Sequence, residues 1–557
     1  MDHYTHSEGD EDVSVTLPDD DVCKPNETTS LLAKNLDSKS RREKWKPGPG
    51  FFWIEVAIFS NVFLSGFDGT ITASTYAIIG SEFHAANTIS WLTTSYLITS
   101  TAFQPLYGRF SDILGRRTCF FTATITFLLG CVGCGLAPDV VTLNLMRALT
   151  GLGGGGLMTM ATIINSDMIP FQERGMYQAC QNVLHGFGSI CGASLGGVIA
   201  DHIGWRWCFL LQVPVSIFAL VVGHLVISGA KATAVTGDEE ATTLQLSSSK
   251  WKQIDLSGAV LLVLGLSAQL AAMSMGGNNF PWSDRKVIAA LALSVLLLVL
   301  FVAVELRTSA VPVMPMTMLR GTLAVSNQIS NVCVGMAAYS FLFVSPLFFQ
   351  VVLEDNASEA GMRLVIPSLA TPVGGLLAGL IMSRWGYLSA LVRTGSFIMV
   401  IGNGLVASLN FRDAAWKYLV YLFPANLGQG IVYPAILFTN LAAFDHSEQA
   451  VATSMVYLFR SMGTVWGVAA SSTLIQNVLT VQLPARLEGI PAKEEIIDEI
   501  RHSVSVLRDL SPEVQTIARH VYYDALRYAY IANTAIAAVA FVAALFARGS
   551  SLRRAQT

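Results

Sequence analysis

The 557-residue chain is 52% hydrophobic and only 13% charged, about half of the charged fraction that a soluble domain carries. A water-soluble protein of this composition would have too few polar side chains to cover its surface, which excludes an ordinary soluble domain. The net charge of −4 does not indicate a nucleic-acid partner. The sequence therefore predicts a protein that lies in a lipid bilayer.

The first 50 residues are polar, and we expect them to form a disordered cytosolic tail. Within this tail, Glu27, Leu31 and Leu32 form an acidic dileucine sequence, a form that sorting adaptors bind. The motif favours a vacuolar, lysosome-like membrane as the location of the protein, with the plasma membrane as the alternative.

Beyond the tail, 14 apolar runs are long enough to cross a bilayer as helices of about 20 residues. Because lipid offers backbone polar groups no partner, each run must be an α-helix. The runs are centred near residues 64, 98, 127, 151, 187, 217, 264, 296, 335, 372, 398, 428, 463 and 538. Lys and Arg are enriched in the loops on the side of the N-terminus, which predicts that both termini lie in the cytosol.

The predicted fold class is an all-α polytopic membrane protein whose helices divide into six, two and six. A first half at 51–229 is followed by a cytosolic linker at 230–252 and by two extra helices at 253–305. The second half, at 306–548, includes a long outer loop at 477–525 and precedes a cytosolic tail at 549–557. Two similar halves are typical of a transporter whose substrate path lies between them.

The turn between the second and third predicted helices has the sequence GRFSDILGRR. Its glycines suit a tight turn, and its single aspartate lies beside three arginines. A carboxylate near a helix end can form a charge latch with arginines, and the latch breaks and re-forms as the two halves rock. A loop that only carries positive charge is the alternative. The predicted cytosolic latch comprises Gly108, Arg109, Asp112, Gly115, Arg116 and Arg117.

Two charged residues within predicted helices are candidates for proton coupling and substrate binding. Asp68 belongs to a stripe with Asn61, Ser65 and Thr72, whose spacing places all four on one helix face. A carboxylate there can exchange a proton or bind a cation, or it can serve helix packing alone. Arg147 lies about two turns into the fourth predicted helix, where it needs a partner or a water-filled cavity. Neighbouring carbonyls that satisfy a purely structural arginine are the alternative.

Further polar side chains in the predicted helices are candidates for lining a hydrophilic cavity, although buried amides equally often bond helices together. The cavity candidates are Asn61, Thr72, Gln178, Asn182, His185, Asn327, Asn331, Asn426 and Gln429. By contrast, Gly188, Gly192 and Gly196 are four residues apart and stack on one face of the fifth predicted helix. Small residues at this spacing let membrane helices approach closely, so these glycines predict a packing seam.

The GRFSDILGRR turn resembles the signature loop of the major facilitator superfamily. Residues 145–156, LMRALTGLGGGG, resemble its fourth-helix motif, whose arginine is linked to proton coupling. Residues 188–197, GSICGASLGG, resemble the fifth-helix motif of antiporters, with Ala193 where that motif usually has proline. Residues 205–207, 254–258, 361–367 and 459–463 are similar to the fourteen-helix drug:proton antiporter family. The dileucine, the stretch FDGTI at 67–71, the loop GGNNFPW at 276–282 and the long outer loop at 477–525 carry a closer resemblance. Within that family, they are most similar to fungal vacuolar basic amino acid transporters.

The resemblance implies a non-enzymatic, proton-coupled transporter that moves lysine, arginine or histidine from the cytosol into the vacuole by alternating access. A plasma-membrane exporter of drugs or toxins and a nutrient-sensing receptor with a transporter fold are the alternatives. The sequence has no G-x-x-x-x-G-K-[ST] loop for ATP. We therefore expect a proton gradient as the energy source, and neither a cofactor nor a metal. Asn356 begins a glycosylation sequon on the predicted outer side.

Overall fold

The computed structural model describes residues 47–83, 91–227, 255–276, 280–308, 310–355, 357–488, 493–502, 507 and 510–547. These residues form α-helices and short connections, and no β-sheet occurs among them. The all-α fold predicted from the sequence is confirmed. The sorting sequence at Glu27, Leu31 and Leu32, the linker at 230–252, Asn356 and the tail at 549–557 lie outside the described residues and stay predictions.

Helical segments cover all 14 of the predicted centres. The first half contains α1 (Phe51–Glu82), α2 (Trp91–Leu114), α3 (Arg116–Leu136), α4 (Val140–Met168), α5 (Phe171–His202) and α6 (Arg206–Leu210 and Gln212–Val226). The extra helices are α7 (Leu256–Met275) and α8 (Arg285–Glu305). The second half contains α9 (Thr322–Val352), α10 (Ala357–Ser368 and Ala370–Trp385), α11 (Leu388–Ala407), α12 (Lys417–Val420 and Phe423–Leu441), α13 (Gln449–Arg486) and α14 (Pro512–Phe546).

In the described part of the chain, 11 of these segments are long and apolar enough to cross a membrane by length and composition. The others are α2, α4 and α13, in which polar residues or glycines interrupt the apolar sequence. Several of their polar residues are buried against other helices, among them Ser100 of α2, Arg147 of α4 and Ser454 of α13. The number of membrane spans and the cytosolic position of both termini stay predictions.

The glycine run of α4 sets the spacing of helices inside the first half. A Cβ atom at Gly153 would lie 2.4 Å from the backbone nitrogen of Phe127 in α3. On the adjacent face, a Cβ at Gly155 would lie 2.3 Å from the carbonyl oxygen of Ser100 in α2. Only residues without a side chain permit both approaches, so the run packs α4 directly against the backbones of its two neighbours.

The two extra helices contact both halves. Ser274 of α7 lies 3.0 Å from the hydroxyl of Thr94 in α2. Trp282, in the connection between α7 and α8, donates a hydrogen bond of 2.9 Å to Thr473 of α13. The pair α7–α8 is therefore attached to the first half through α2 and to the second half through α13.

The segment predicted as the long outer loop, 477–525, is largely helical. Within it, α13 continues to Arg486, a short helix spans Lys493–His502, and α14 begins at Pro512. Leu483 and Ile500 are fully buried in one hydrophobic cluster with the core of the second half. The prediction of a loop relied on the polar composition of the segment. Its apolar residues nevertheless recur at helical spacing and bury one face of each helix. Its position on the outer side stays a prediction.

Candidate functional site

The two charged candidates form one ion pair inside the first half. Nη1 of Arg147 donates to Oδ1 of Asp68 at 2.7 Å and to Oδ2 at 2.9 Å. Both side chains are fully buried, with 0% exposure. The sequence identified each residue separately but did not pair them. The alternative in which carbonyls alone satisfy the arginine is excluded, since only the Leu92 oxygen, at 3.4 Å, accepts from it among the described carbonyls.

Helices α1, α2, α4 and α6 enclose this pair. Nε2 of Gln212 in α6 donates to Oδ1 of Asp68 at 3.3 Å. The guanidinium carbon of Arg147 lies 4.5 Å from the ring centroid of Tyr96 and 5.5 Å from that of Phe209. The aromatic rings exclude water, which strengthens the attraction between the two charges. Sequence reasoning missed all three of these partners, because none is charged.

The polar stripe of α1 faces the interior of the first half. Nδ2 of Asn61 donates to the hydroxyl of Thr124 in α3 at 2.9 Å. Thr72, at the other end of the stripe, is buried, and so is Ser65. In this conformation Asn61 therefore bonds two helices together, which is the packing alternative for that residue.

The cavity candidates of α5 are Gln178, Asn182 and His185, and the first of them lies close to the second half. Nε2 of Gln178 donates to Oδ1 of Asn182 at 3.3 Å. Thr162 of α4 donates to Oε1 of Gln178 at 3.4 Å, and its hydroxyl lies 2.8 Å from that of Tyr457 in α13. These side chains form a polar contact between the two halves. His185 is half-buried, and its carbonyl oxygen packs against Gly66 of α1.

One amide of the second half, Asn331, contacts a second arginine, Arg460, in the first third of α13. Nδ2 of Asn331 donates to the carbonyl oxygen of Val456 at 2.7 Å, and its Oδ1 accepts from Nε of Arg460 at 3.3 Å. Two other amides form hydrogen bonds with the backbone. Asn327 donates to the carbonyl oxygen of Ile436 at 3.1 Å, and Asn426 donates to the carbonyl oxygen of Leu422 within α12 at 3.0 Å. Gln429 is half-buried one turn before Tyr433.

The predicted latch contains a network of charges centred on Asp112. Nη1 of Arg116 donates to Oδ1 of Asp112 at 2.6 Å, and Nη1 of Arg109 lies 3.8 Å from Oδ2. Nε of Arg116 also donates to Asp167 of α4 at 2.7 Å. Arg117 is directed away from the network, with Nη2 lying 3.2 Å from the ring nitrogen Nδ1 of His224.

The two glycines of the latch have separate roles. Gly115 adopts a φ of +95° in the turn, a conformation that favours glycine. Gly108 faces α13, where an added Cβ would lie 2.2 Å from the hydroxyl of Ser454. Nε of Arg109 donates to the carbonyl oxygen of Pro312 at 2.6 Å, in the segment that leads into α9. The predicted turn at 108–117 is wrong in extent, because Gly108 and Arg109 lie in the last turns of α2 and only Gly115 separates α2 from α3. The latch residues of α2 contact the second half directly, as a latch requires.

The described hydrogen bonds between the two halves lie between the end that carries the latch and the middle of the helices. At that end, Arg174 donates to Oε1 of Gln449 at 2.8 Å. Near the middle, Ser461 of α13 donates to Oε1 of Gln104 in α2 at 2.9 Å. Gly175 of α5 also packs against Gly379 of α10. In this structure the two halves are closed together at the latch end.

The glycine seam of α5 packs against α1. Added Cβ atoms at Gly188 and Gly192 would lie 2.4 Å and 2.3 Å from the carbonyl oxygens of Phe63 and Phe67. Gly196 is buried further along, and its carbonyl oxygen accepts a hydrogen bond of 3.4 Å from the thiol of Cys208 in α6. The first two glycines thus permit backbone contact between α5 and α1, whereas the third faces α6.

We expect Gly192→Val to reduce the yield of folded protein several-fold, because the branched side chain must push α5 away from α1. Gly197→Val is the matched control on the same helix, since nothing lies within 4 Å of an added Cβ there. The monodisperse fraction of detergent-extracted protein measures the effect. Equal yields for the two variants would contradict the seam.

The chain resembles known transporters over most of its length. The sequence model described as Major Facilitator Superfamily matches residues 58–468. The vacuolar basic amino acid transporter 2 of Saccharomyces cerevisiae is 42% identical, over 81% of this chain and 96% of that protein. The multidrug resistance protein fnx1 of Schizosaccharomyces pombe is 35% identical, over 94% of this chain and 96% of that protein. Among solved structures, the human organic anion transporter MFSD10 superposes with a TM-score of 0.54 at 11% identity, over 88% of this chain and 100% of that one.

Proposed function

Because the chain belongs to the major facilitator superfamily, we propose that it is a proton-coupled secondary transporter that moves basic amino acids from the cytosol into the vacuole. The substrate class is supported by the 42% identity to the yeast protein named as a vacuolar basic amino acid transporter. We expect no catalytic activity and no cofactor, since the family moves its substrates without chemical change.

The observation that carries the proposal is the fully buried pair of Asp68 and Arg147. Removing both charges from water costs several kcal/mol per ion, and an apolar pair of similar volume is often as stable. Charges retained at such a cost inside a membrane protein mark ion and proton pathways. A proton that binds Asp68 would release Arg147 from its partner. Proton binding would therefore shift the balance between access states that hold the pair differently.

The latch provides the second part of the mechanism. Its contacts from Gly108 to Ser454 and from Arg109 to Pro312 exist only while the two halves are closed at this end. Opening this end for a cytosolic substrate must break both contacts, and closing it must restore them. Alternating access then follows from two states that differ in latch contacts and in the charge of Asp68.

Uptake of labelled lysine by isolated vacuoles, with and without this protein, tests the proposed function. We expect ATP-energised vacuoles that contain the protein to accumulate lysine several-fold above vacuoles that lack it. A protonophore should remove the difference, because the energy comes from the proton gradient. Equal accumulation in both preparations would contradict the proposal.

Export of drugs is the second candidate function, and the 35% identity to a protein named for multidrug resistance favours it. Cells that lack the protein would then become sensitive to toxic compounds while vacuolar lysine stays unchanged. The polar interface between the halves, formed by Thr162, Gln178 and Tyr457, favours a hydrophilic substrate instead.

Location is tested through the sorting sequence in the tail. We expect Leu31→Ala with Leu32→Ala to move a tagged protein from the vacuolar membrane to the cell surface, because adaptors no longer bind the dileucine. Leu36→Ala, in the same tail but outside the motif, is the control. A wild-type protein found at the cell surface would contradict the vacuolar proposal and favour the exporter.

A further inference from the structure

Arg460 is the second arginine inside the helices, and its surroundings differ from those of Arg147. It lies eleven residues after the start of α13, roughly 16 Å along the helix axis. Its acceptors are neutral: Oδ1 of Asn331 at 3.3 Å from Nε, and the carbonyl oxygen of Tyr433 at 3.0 Å from Nη2. Among the described residues, no carboxylate lies within 4.0 Å of this guanidinium.

The guanidinium of Arg460 is held against aromatic rings. Its central carbon lies 4.1 Å from the ring centroid of Tyr433 and 5.6 Å from that of Tyr457. These rings and the hydrogen bond from Nε to Asn331 fix the orientation of the side chain. The third nitrogen, Nη1, donates to no residue in the described ranges. A cation inside a membrane protein without a counter-ion is costly unless an anion or water reaches it.

Arg460 also lies where the two halves meet. One turn earlier, the hydroxyl of Tyr457 lies 2.8 Å from that of Thr162 in α4. The next residue, Ser461, donates to Gln104 of α2 at 2.9 Å. The arginine is therefore placed beside the innermost contacts between the halves, which is where transporters of this architecture bind their substrates.

We propose that Arg460 binds the α-carboxylate of the transported amino acid, an inference that rests on the proposed function. The planar guanidinium presents parallel N–H groups that match the two oxygens of a carboxylate. The substrate carboxylate supplies the counter-ion that Arg460 lacks, while the neutral partners Asn331 and Tyr433 do not compete for the positive charge. The site selects amino acids over amines that have the same side chain but no carboxylate.

A comparison of ligands that differ only in the carboxylate tests the proposal. Unlabelled L-lysine, L-lysinamide and cadaverine compete with labelled lysine for uptake into vesicles that contain the full chain. For the wild type we expect lysine to compete about tenfold or more better than the other two, the effect of one charge-assisted pair. For Arg460→Gln we expect lysine to lose this advantage, while competition by cadaverine stays unchanged. Arg460→Lys should retain an intermediate preference for lysine, because it keeps the positive charge but not the two parallel N–H groups of the guanidinium.

The matched control is Arg384→Gln, which removes an exposed arginine that stacks on Trp385 at the end of α10 and should leave the preference unchanged. Equal competition by lysine and cadaverine in the wild type would overturn the proposal without any variant. So would an Arg460→Gln protein that loses affinity for all three compounds alike, since that pattern indicates a structural arginine. If Arg460→Gln does not reach the membrane, the wild type and Arg460→Lys decide.

Failure of the proposed function gives a different result. If the wild type moves no basic amino acid, the carboxylate site is tested by thermal unfolding instead. The unfolding temperature is measured with a neutral amino acid and with the amine that has the same side chain but no carboxylate. Stabilisation by leucine but not by isopentylamine, lost in Arg460→Gln, would support the carboxylate site although the substrate class is wrong. No difference between the acid and the amine for leucine, alanine or glutamine would overturn the site itself.

Discussion

Arg147→Gln is expected to abolish proton-driven uptake and to reduce the amount of folded protein in the membrane severely. The change leaves the carboxylate of Asp68 buried without its cation, and breaking a buried pair in this way costs about 3–5 kcal/mol. Asp68→Asn should have a similar effect, because it leaves Arg147 as the unpaired charge. Uptake of lysine and membrane abundance are measured together for each variant.

The double variant Asp68→Asn with Arg147→Gln separates folding from transport. It contains two neutral amides in place of the ion pair, so we expect membrane abundance to recover to near the wild-type level. Transport should stay absent, because neither position of the proposed proton-coupling pair can then be ionised. A well-expressed double variant that still accumulates lysine against a gradient would show that the pair serves packing alone. The receptor alternative predicts a different result: neither the wild type nor the double variant accumulates lysine, and nutrient signalling is the same for both.

Asp112→Asn is expected to lower transport about tenfold or more while the protein stays folded and inserted. The carboxylate of Asp112 holds Arg116 at 2.6 Å and lies 3.8 Å from Arg109, which itself reaches Pro312 in the second half. Loss of the negative charge leaves two arginines without a shared anion, which destabilises the closed state of the latch. A shift of about 1.4 kcal/mol between access states changes their ratio tenfold.

The control for the latch is Glu173→Gln, which removes an exposed acidic residue at the start of α5, near the same end of the molecule. Initial rates of lysine uptake, divided by the amount of protein in the membrane, compare the two variants. Normal rates for a fully expressed Asp112→Asn protein would remove the latch from the mechanism.

The sequence predicted the positions of the helices well, because an apolar run of about 20 residues in a chain of this composition has few alternatives to a membrane-spanning helix. Even α2, α4 and α13, which are too polar for a simple hydropathy criterion, lie over predicted centres. The segment at 477–525 was harder, since its helices bury one face against the second half and expose charged residues on the other. Such a pattern resembles an ordinary polar loop when only composition is considered.

The sequence predicted the charged members of the site but not their partners. Helical periodicity places Asp68 on a face of α1, yet it does not say which face of α4 lies opposite. The sequence therefore showed two intramembrane charges of opposite sign, but it did not show how far apart their side chains lie. The neutral partners Tyr96 and Gln212 had no signal of their own, because aromatic and amide residues occur throughout the helices.

Arg460 is a second residue whose partners the sequence did not predict. The sequence placed Arg460 only within residues 459–463, which are similar to the antiporter family, and gave no role to the arginine itself. The structure separates the two arginines by their partners, since Arg147 has a carboxylate and Arg460 has only neutral acceptors among the described residues. The pair formed by Arg147 supports the proposed proton coupling, whereas the neutral surroundings of Arg460 support the proposed binding of the substrate carboxylate.

The most direct test of the central claim is lysine uptake by proteoliposomes that contain the purified chain and an imposed pH gradient, acidic inside. The proposed mechanism predicts that labelled lysine accumulates several-fold above the level in empty liposomes. It also predicts that the accumulation disappears with a protonophore and is absent from liposomes that contain the Asp68→Asn, Arg147→Gln double variant. Uptake equal to that of empty liposomes, or uptake that is indifferent to the pH gradient, would contradict proton-coupled transport of basic amino acids by this protein.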